Sequence, residues 1–320
     1  MDLRLAFNPG PANCREGLQV RLAYHPEGSR TLMSIMPNLT QALSNAENEH
    51  SGTTAFGKQK GLEDIADIRP ALLVSFAYLN GFLKHRSRYW FRDWVLDSGA
   101  FSAWKSGRHV ELQTYIDKAK ELMESDGQLV EIYALDVIGD WKTSKANCDE
   151  MWRQGVPAIP CFHVGEPWDV LINLANDYPK IALGGAVGYR RKDDWAEQCF
   201  ARVWPKLIHG FGYGSEESIM RVPWHSTDAT NWEIGPCGYG RWAKFGKLSV
   251  HGSNQNLRSQ ILYYLDLESR ARLRWARELQ QLQRLTPYSI RLGGMFGGRV
   301  DAKAMAFDPR PTATGENDVR

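Results

Sequence analysis

LVEIYALDVIGDWKTSKANCDEMWRQGVPAIPCFHVGEPWDVLINLANDYPKIALGGAVG, residues 129–188, reads as strand, helix, strand, helix, strand. Its apolar runs (LVEIYALDVI, PAIPCFHV, KIALGGAVG) are short and bounded by Gly and Pro, while TSKANCDEMWRQG (143–155) and EPWDVLINLANDY (166–178) space their apolar residues at helical period. Strands alternating with helices imply βαβ units, a parallel sheet and right-handed crossovers. The same rhythm extends upstream through ALLVSFAYL (71–79), WVLDSGAF (94–101) and the helical VELQTYIDKAKELMES (110–125). Downstream it continues through the helical KDDWAEQCFARVWPKL (192–207), then KLIHGFGYG (206–214), RVPWHSTDA (221–229) and KLSVHG (247–252). Eight candidate strands result, and an α/β fold of the (β/α)8 TIM-like barrel type is expected, with a doubly wound open sheet as the alternative.

Around this core, residues 1–68 are rich in Gly, Pro, Asn and Ser and are expected to form an irregular N-terminal layer. The barrel core is placed at 69–252 and a helical C-terminal part at 253–300, all in one domain, with a polar tail at 301–320 expected to be flexible. Composition restricts the function classes. With 39 Lys and Arg against 37 Asp and Glu, the net charge is +2, so any polyanion surface must be local. No run of about eighteen apolar residues is present, so a soluble, cytoplasmic protein without membrane contact is expected. Cys14, Cys148, Cys161, Cys199 and Cys237 form no CxxC or CxC pair, hence no structural metal and reduced thiols are expected.

In a parallel barrel the C-terminal strand ends converge on one mouth, so polar residues that end apolar strands are the first catalytic candidates. Asp97 follows Val95 and Leu96 at an apolar wall, where desolvation raises a carboxyl pKa toward proton-transfer duty; equally, it is a turn or helix cap before Ser98-Gly99. Asp228 ends VPWHSTD among Ser226, Thr227 and Thr230, hydroxyls that would hold a carboxylate ionised and aimed, or it too caps. Two carboxylates across one pocket are the pattern for retaining displacement at an anomeric carbon. Gly184-Gly185 lets backbone approach a flat ligand, or packs a strand tightly against its neighbours. His163, His209 and His225 lie near strand ends and read as hydrogen-bonded wall residues, His163 being the one nearest substrate. Trp104, Trp141, Trp224 and Trp232 follow these strands; core packing is their plainer reading. SNQNLRSQILYYLDLESRARLRWARELQQLQRL (253–285) is the strongest helix signal; its arginines form a solvated face or a phosphate-binding one.

Taken together, LDSGAFSAW (96–104), YALDVIGDW (133–141), IPCFHVGEP (159–167), IALGGAVG (181–188), IHGFGYGS (208–215) and STDATNW (226–232) resemble, in order, motifs of the tRNA-guanine transglycosylase superfamily. The likeness is to its DSGGFQ, GGLAVGE and HLLGIG segments, and is nearest to the DpdA-like DNA 7-deazaguanine transglycosylases. The resemblance implies that Asp228 attacks C1′ of a target guanosine and Asp97 serves as acid/base. It also implies that Ser98, Phe101, Asp136, His163 and the Gly184, Gly185, Ala186 backbone bind the guanine-like base. No cofactor is implied. Partners would be nucleic acid, contacted through Arg241, Arg270, Arg274 and Arg277, a 7-deazaguanine base, and an accessory protein or a second copy.

Two departures shape that expectation. The Cys-x-Cys-x-x-Cys…His zinc site of the tRNA enzymes is missing after Asp228, where only Cys237 follows, which favours DNA over tRNA as substrate. Ser102 and Tyr189 stand where the motifs carry Gln and Glu. The alternatives are the same exchange on tRNA, a retaining glycosidase or nucleoside deoxyribosyltransferase, a noncatalytic RNA-binding subunit, and a barrel whose Asp and Gly residues merely cap strands.

Overall fold

The computed structural model describes residues 18–24, 69–88, 91–107, 109–230, 244–245, 248–249 and 253–280. In chain order these form β1 (Gln19–Ala23), β2 (Ala71–Ser75), α1 (Leu79–His85), β3 (Trp94–Asp97), α2 (Ala100–Ser106), α3 (Leu112–Ser125) and β4 (Leu129–Ile132). Then come α4 (Trp141–Arg153), β5 (Cys161–His163), α5 (Trp168–Asp177), β6 (Lys180–Gly184), α6 (Lys192–Val203), β7 (Leu207–Gly210), α7 (Glu216–Arg221) and β8 (Ser226–Ala229). A small antiparallel pair, β9 (Lys244–Phe245) and β10 (Leu248–Ser249), precedes α8 (Ser253–Arg274).

β1 to β8 build one all-parallel, curled sheet in the order β4-β3-β2-β1-β8-β7-β6-β5. Every strand lies beside a sequence neighbour, and the first strand pairs with the last, which a doubly wound sheet with its central reversal does not do. The edges β4 and β5 share no ladder; one parallel bridge, Tyr133 to Ile159, spans them. There the Ile159 N–H donates to the Ile132 carbonyl at 2.8 Å and the Ala134 N–H to the Ile159 carbonyl at 2.9 Å.

The eighth strand is not where the sequence pattern put it. Of residues 247–252, the described Leu248 and Ser249 form β10, outside the large sheet, and the eighth strand of that sheet is β1, inside the segment read as an irregular layer. LQVRLAY alternates strictly: Leu18, Val20, Leu22 and Tyr24 bury into the sheet–helix core, while Gln19 and Arg21, also buried, occupy the other face.

That alternation holds around the sheet and separates two apolar cores. The outer one lies between strands and helices and includes Leu72, Val74, Trp94, Leu96, Phe162, Ile181, Leu183 and Ile208. The inner one, on the concave face, is a small plug of Leu73, Val95, Tyr133, Ile159, Cys161 and Ala182. Below the plug the concave face is ionic. Arg21 Nη1 meets Asp93 Oδ1 at 2.6 Å, Arg92 Nε meets Asp93 Oδ2 at 2.9 Å, and Lys180 Nζ meets Glu131 Oε1 at 2.7 Å.

α8 buries Ile261, Leu265, Glu268 and Ala271 at three- and four-residue steps, and Trp275 just after it is buried too, so it is a core helix and not merely a solvated face. Glu268 on it accepts the Val20 N–H at 2.8 Å and Arg272 Nε donates to the Leu18 carbonyl at 2.7 Å, docking the helix against β1. Among the described residues no helix is long and apolar enough to cross a membrane.

Candidate active site

The C-terminal ends of β3, β4, β5, β6 and β8, with the loops behind them, bring Asp97, Asp136, His163, Gly184, Gly185 and Asp228 to one rim. Asp97 is the last residue of β3. Its Oδ2 accepts the Gly99 N–H at 3.1 Å, so it does close the Ser98-Gly99 turn, with Gly99 at φ 74°. A side chain at Gly99 would also run within 2.8 Å of the Ser75 hydroxyl, which ties the turn to β2. Turn closure does not exhaust Asp97. Burial, then the negative charges of Asp136 and Asp228, push its pKa from 3.8 to about 7, with the Gly99 amide pulling the other way. The three carboxylates therefore share one electrostatic neighbourhood.

Asp136 and His163 are joined directly. Asp136 Oδ1 accepts the Ser98 hydroxyl at 3.1 Å and Oδ2 faces His163 Nε2 at 2.8 Å. On the ring's other side Nδ1 faces Glu166 Oε1 at 3.0 Å, while Glu166 Oε2 accepts the His163 backbone N–H at 3.1 Å. Burial opposes a charge on His163, yet its neighbours, Asp136 and Glu166 among them, outweigh burial and hold its pKa above the imidazole range. An imidazolium with a carboxylate on each nitrogen satisfies both.

Asp136, Cys161 and His163 also place one ligand atom each within 4.8 Å of the others, the donor types a transition metal takes. Here the carboxylate and imidazole already satisfy one another, and burial pushes the Cys161 thiol up to about 11, so it is protonated at neutral pH.

Asp228 lies within β8 and is buried. Its Oδ1 accepts the N–H of Gly212, a residue at φ 74° in the loop after β7, at 2.8 Å. His209 Nε2 stands 3.6 Å from that same oxygen, just beyond hydrogen-bond reach. Thr227, expected to steady Asp228, is buried with its hydroxyl unpartnered among the described residues, and Ser226 turns instead to His209 at 2.8 Å.

The glycine pair divides its duties. A side chain at Gly184 would come 2.6 Å from Cys161 Sγ and 3.1 Å from the His163 ring, so Gly184 serves close packing between strands. Gly185 is exposed at φ 69°, and Ala186 is buried. Large apolar side chains are exposed in the loop after β6, at Val187 and Tyr189, and on α2 after β3, at Phe101, the last 51% exposed. Trp224 is core, packed on Tyr213 and Phe200.

The arginine candidates are mostly engaged elsewhere. Arg270 is held by Glu216 and by Asp266, the latter at 2.8 Å. Arg274 lies 5.2 Å over the Trp275 ring, and Arg277 is exposed. Arg241, with Trp232, Cys237 and the tail, lies outside the described residues.

No protein-family model matches the chain, and no curated protein does.

Sequence reasoning passed over Glu166, Glu131, Lys180 and the Gly212 amide. Only Glu166 carried a visible signal, its three-residue spacing from His163 in HVGE, which lets one carboxylate reach both the ring and the backbone N–H of that histidine. What the rim offers chemically is one carboxyl titrating near neutrality, a second carboxylate aimed by a backbone amide, and a hydrogen-bonding Asp136–His163 pair between them in chain order.

Proposed function

We propose that the chain is a base-exchanging pentosyltransferase on a TIM-like barrel, the bridge at Tyr133 and Ile159 marking its seam. The observation that carries this reading is the division of labour between two carboxyls on one rim, Asp97 raised to about 7 and Asp228 held by the Gly212 amide at 2.8 Å. A carboxyl near neutrality gives and takes a proton within one cycle; a carboxylate fixed by one oxygen has the other for attack.

In the first half-reaction an Asp228 oxygen forms a bond to C1′ of the target guanosine as the C1′–N9 bond breaks, and Asp97 gives its proton to the departing guanine. In the second, the incoming 7-deazaguanine loses its ring N–H proton to Asp97, its nitrogen bonds to C1′, and Asp228 leaves as carboxylate. Two displacements at one carbon retain configuration. Asp136 with Ser98 and His163 reads the polar edge of the base, the Gly185 backbone reads the other edge, and exposed Phe101 offers a stacking face. DNA, entering with its base flipped out, is the favoured polymer, with the missing zinc motif as the reason.

A second reading, exchange on a free nucleoside, draws support from Arg270, whose guanidinium is already committed to Glu216 and Asp266. Labelled guanine incubated with protein and duplex DNA, tRNA or deoxyguanosine separates these. Label retained in DNA supports the proposal, label in tRNA or nucleoside moves it to another substrate, and no label in any of the three contradicts it.

A further inference from the structure

Beneath the rim a polar chain runs through the concave face from Glu131 to Asp228, and its hydrogens can be placed one by one. Lys180 Nζ lies 2.7 and 2.8 Å from the two Glu131 oxygens and 3.1 Å from Ser226 Oγ. An ammonium has three protons and no lone pair, so it donates all three and Ser226 Oγ accepts one of them. The serine proton is then free for His209 Nδ1, 2.8 Å away, which makes Nδ1 an acceptor. Burial holds His209 below the ordinary imidazole range, so the ring carries one proton, and that proton is on Nε2. Nε2 is buried, has no hydrogen-bond partner among the described residues, and faces Asp228 Oδ1 at 3.6 Å. The Tyr133 and Phe211 rings, with centroids 4.8 and 4.6 Å from the imidazole, leave it little room to turn.

We infer that His209 is a positioning residue: Lys180 and Ser226 set its tautomer, and its Nε2–H closes on Asp228 Oδ1, leaving Oδ2 to face the sugar. Both contacts to the carboxylate among the described residues, from the Gly212 amide and from His209, fall on that one oxygen. A contraction of a few tenths of an ångström brings Nε2 within hydrogen-bond distance. As Asp228 is released from C1′ and regains its charge, a buried donor already aimed at it needs no rearrangement. The role as positioner rests on Asp228 being the nucleophile; the tautomer does not.

Two measurements keep those apart. In protein labelled with ¹⁵N-histidine, long-range ¹H–¹⁵N correlation, with the His209 signal assigned by its loss in His209→Gln, reads the tautomer without any substrate. A neutral Nε2–H ring that loses its single tautomer in Ser226→Ala is expected; an Nδ1–H or doubly protonated ring overturns the wiring. In the exchange assay His209→Leu is expected to lower kcat about 10²-fold with KM little changed. His209→Gln, whose amide N–H reaches the same place, is expected to recover most of that loss. Equal kcat for Leu and Gln overturns the positioning role. A wild-type protein that forms no adduct while showing the Nε2–H signal removes the nucleophile reading and with it the role, and leaves the wiring standing.

Discussion

Two charged layers share the concave face and differ in how their charges are matched. The lower layer sets Arg21 and Lys180 against Asp93 and Glu131, each cation on a carboxylate, and Arg92 links Asp93 to Glu268 on α8. The rim gathers Asp97, Asp136, Asp228 and Glu166 against one charged imidazole, His163, which pairs with Asp136 and Glu166. Matched charge in a buried layer holds a structure in register; excess charge of one sign shifts pKa values and marks chemistry. The two layers should therefore fail differently. Substitutions above should remove activity and spare or raise stability, and substitutions below should first cost stability, reaching activity only through the Lys180–Ser226–His209 chain.

The largest separation is expected at Asp97. Asp97→Asn should slow base exchange by about 10²–10⁴-fold, the usual contribution of a positioned acid/base. Its effect on stability has the opposite sign and depends on pH. Because the folded pKa, about 7, lies above the ordinary 3.8, folding holds this proton more tightly than the unfolded chain does. That contribution is complete below pH 4 and is lost as pH rises through 7. Asn loses nothing over that range, so urea unfolding should find Asp97→Asn gaining on wild type between pH 5 and pH 8, by on the order of 1–3 kcal/mol once its partial exposure is allowed for. A gap that shrinks with pH would contradict the assignment.

Below the plug, Glu131→Ala strips Lys180 of its buried partner and should cost about 3–5 kcal/mol. The matched double substitution Glu131→Met with Lys180→Met should recover much of it in the same denaturation experiment. If the single substitution costs under about 1 kcal/mol, the lower layer is not a structural one. At the boundary between the layers, Gly184→Ala drives a methyl to 2.6 Å from Cys161 Sγ and should cost about 1–3 kcal/mol by overpacking. Because Gly184 also abuts the His163 ring, a raised KM for the base should accompany the lower Tm. Smallest of all, Arg270→Ala on the half-exposed ion pair with Glu216 should change stability by no more than about 1 kcal/mol. If it weakens DNA binding in a salt-dependent manner, this arginine serves phosphate contact in addition to its ion pairs.

The contrast between layers also explains what was legible in sequence. The sheet's seven strands from β2 to β8 announced themselves because each is a short apolar run closed by Gly, Pro or a polar cluster, and the helices α3 to α6 because one face of each is buried. β1 escaped because its alternation runs polar inward: Gln19 and Arg21 sit on the concave face, where a barrel ordinarily keeps branched apolar residues, so LQVRLAY read as a short apolar piece of an irregular layer. KLSVHG took its place in the count because a short β-rich run has no local mark of which sheet it joins.

At the rim, positions could be read where chemistry follows from a strand end, as for Asp97, Asp136 and Asp228. Partners could not. That Ser226 serves His209 and not Asp228, that Glu166 completes His163, and that Arg270 answers Glu216 are facts of tertiary geometry between residues 3 to 54 positions apart.

The central claim is that Asp228 carries the sugar between two bases, and intact-protein mass spectrometry tests it most directly. Wild-type protein quenched during incubation with a guanine-containing DNA oligonucleotide should gain a covalent mass that peptide mapping places on Asp228, and Asp228→Ala should gain none. An adduct that persists in Asp228→Ala, or maps to another residue, would contradict it.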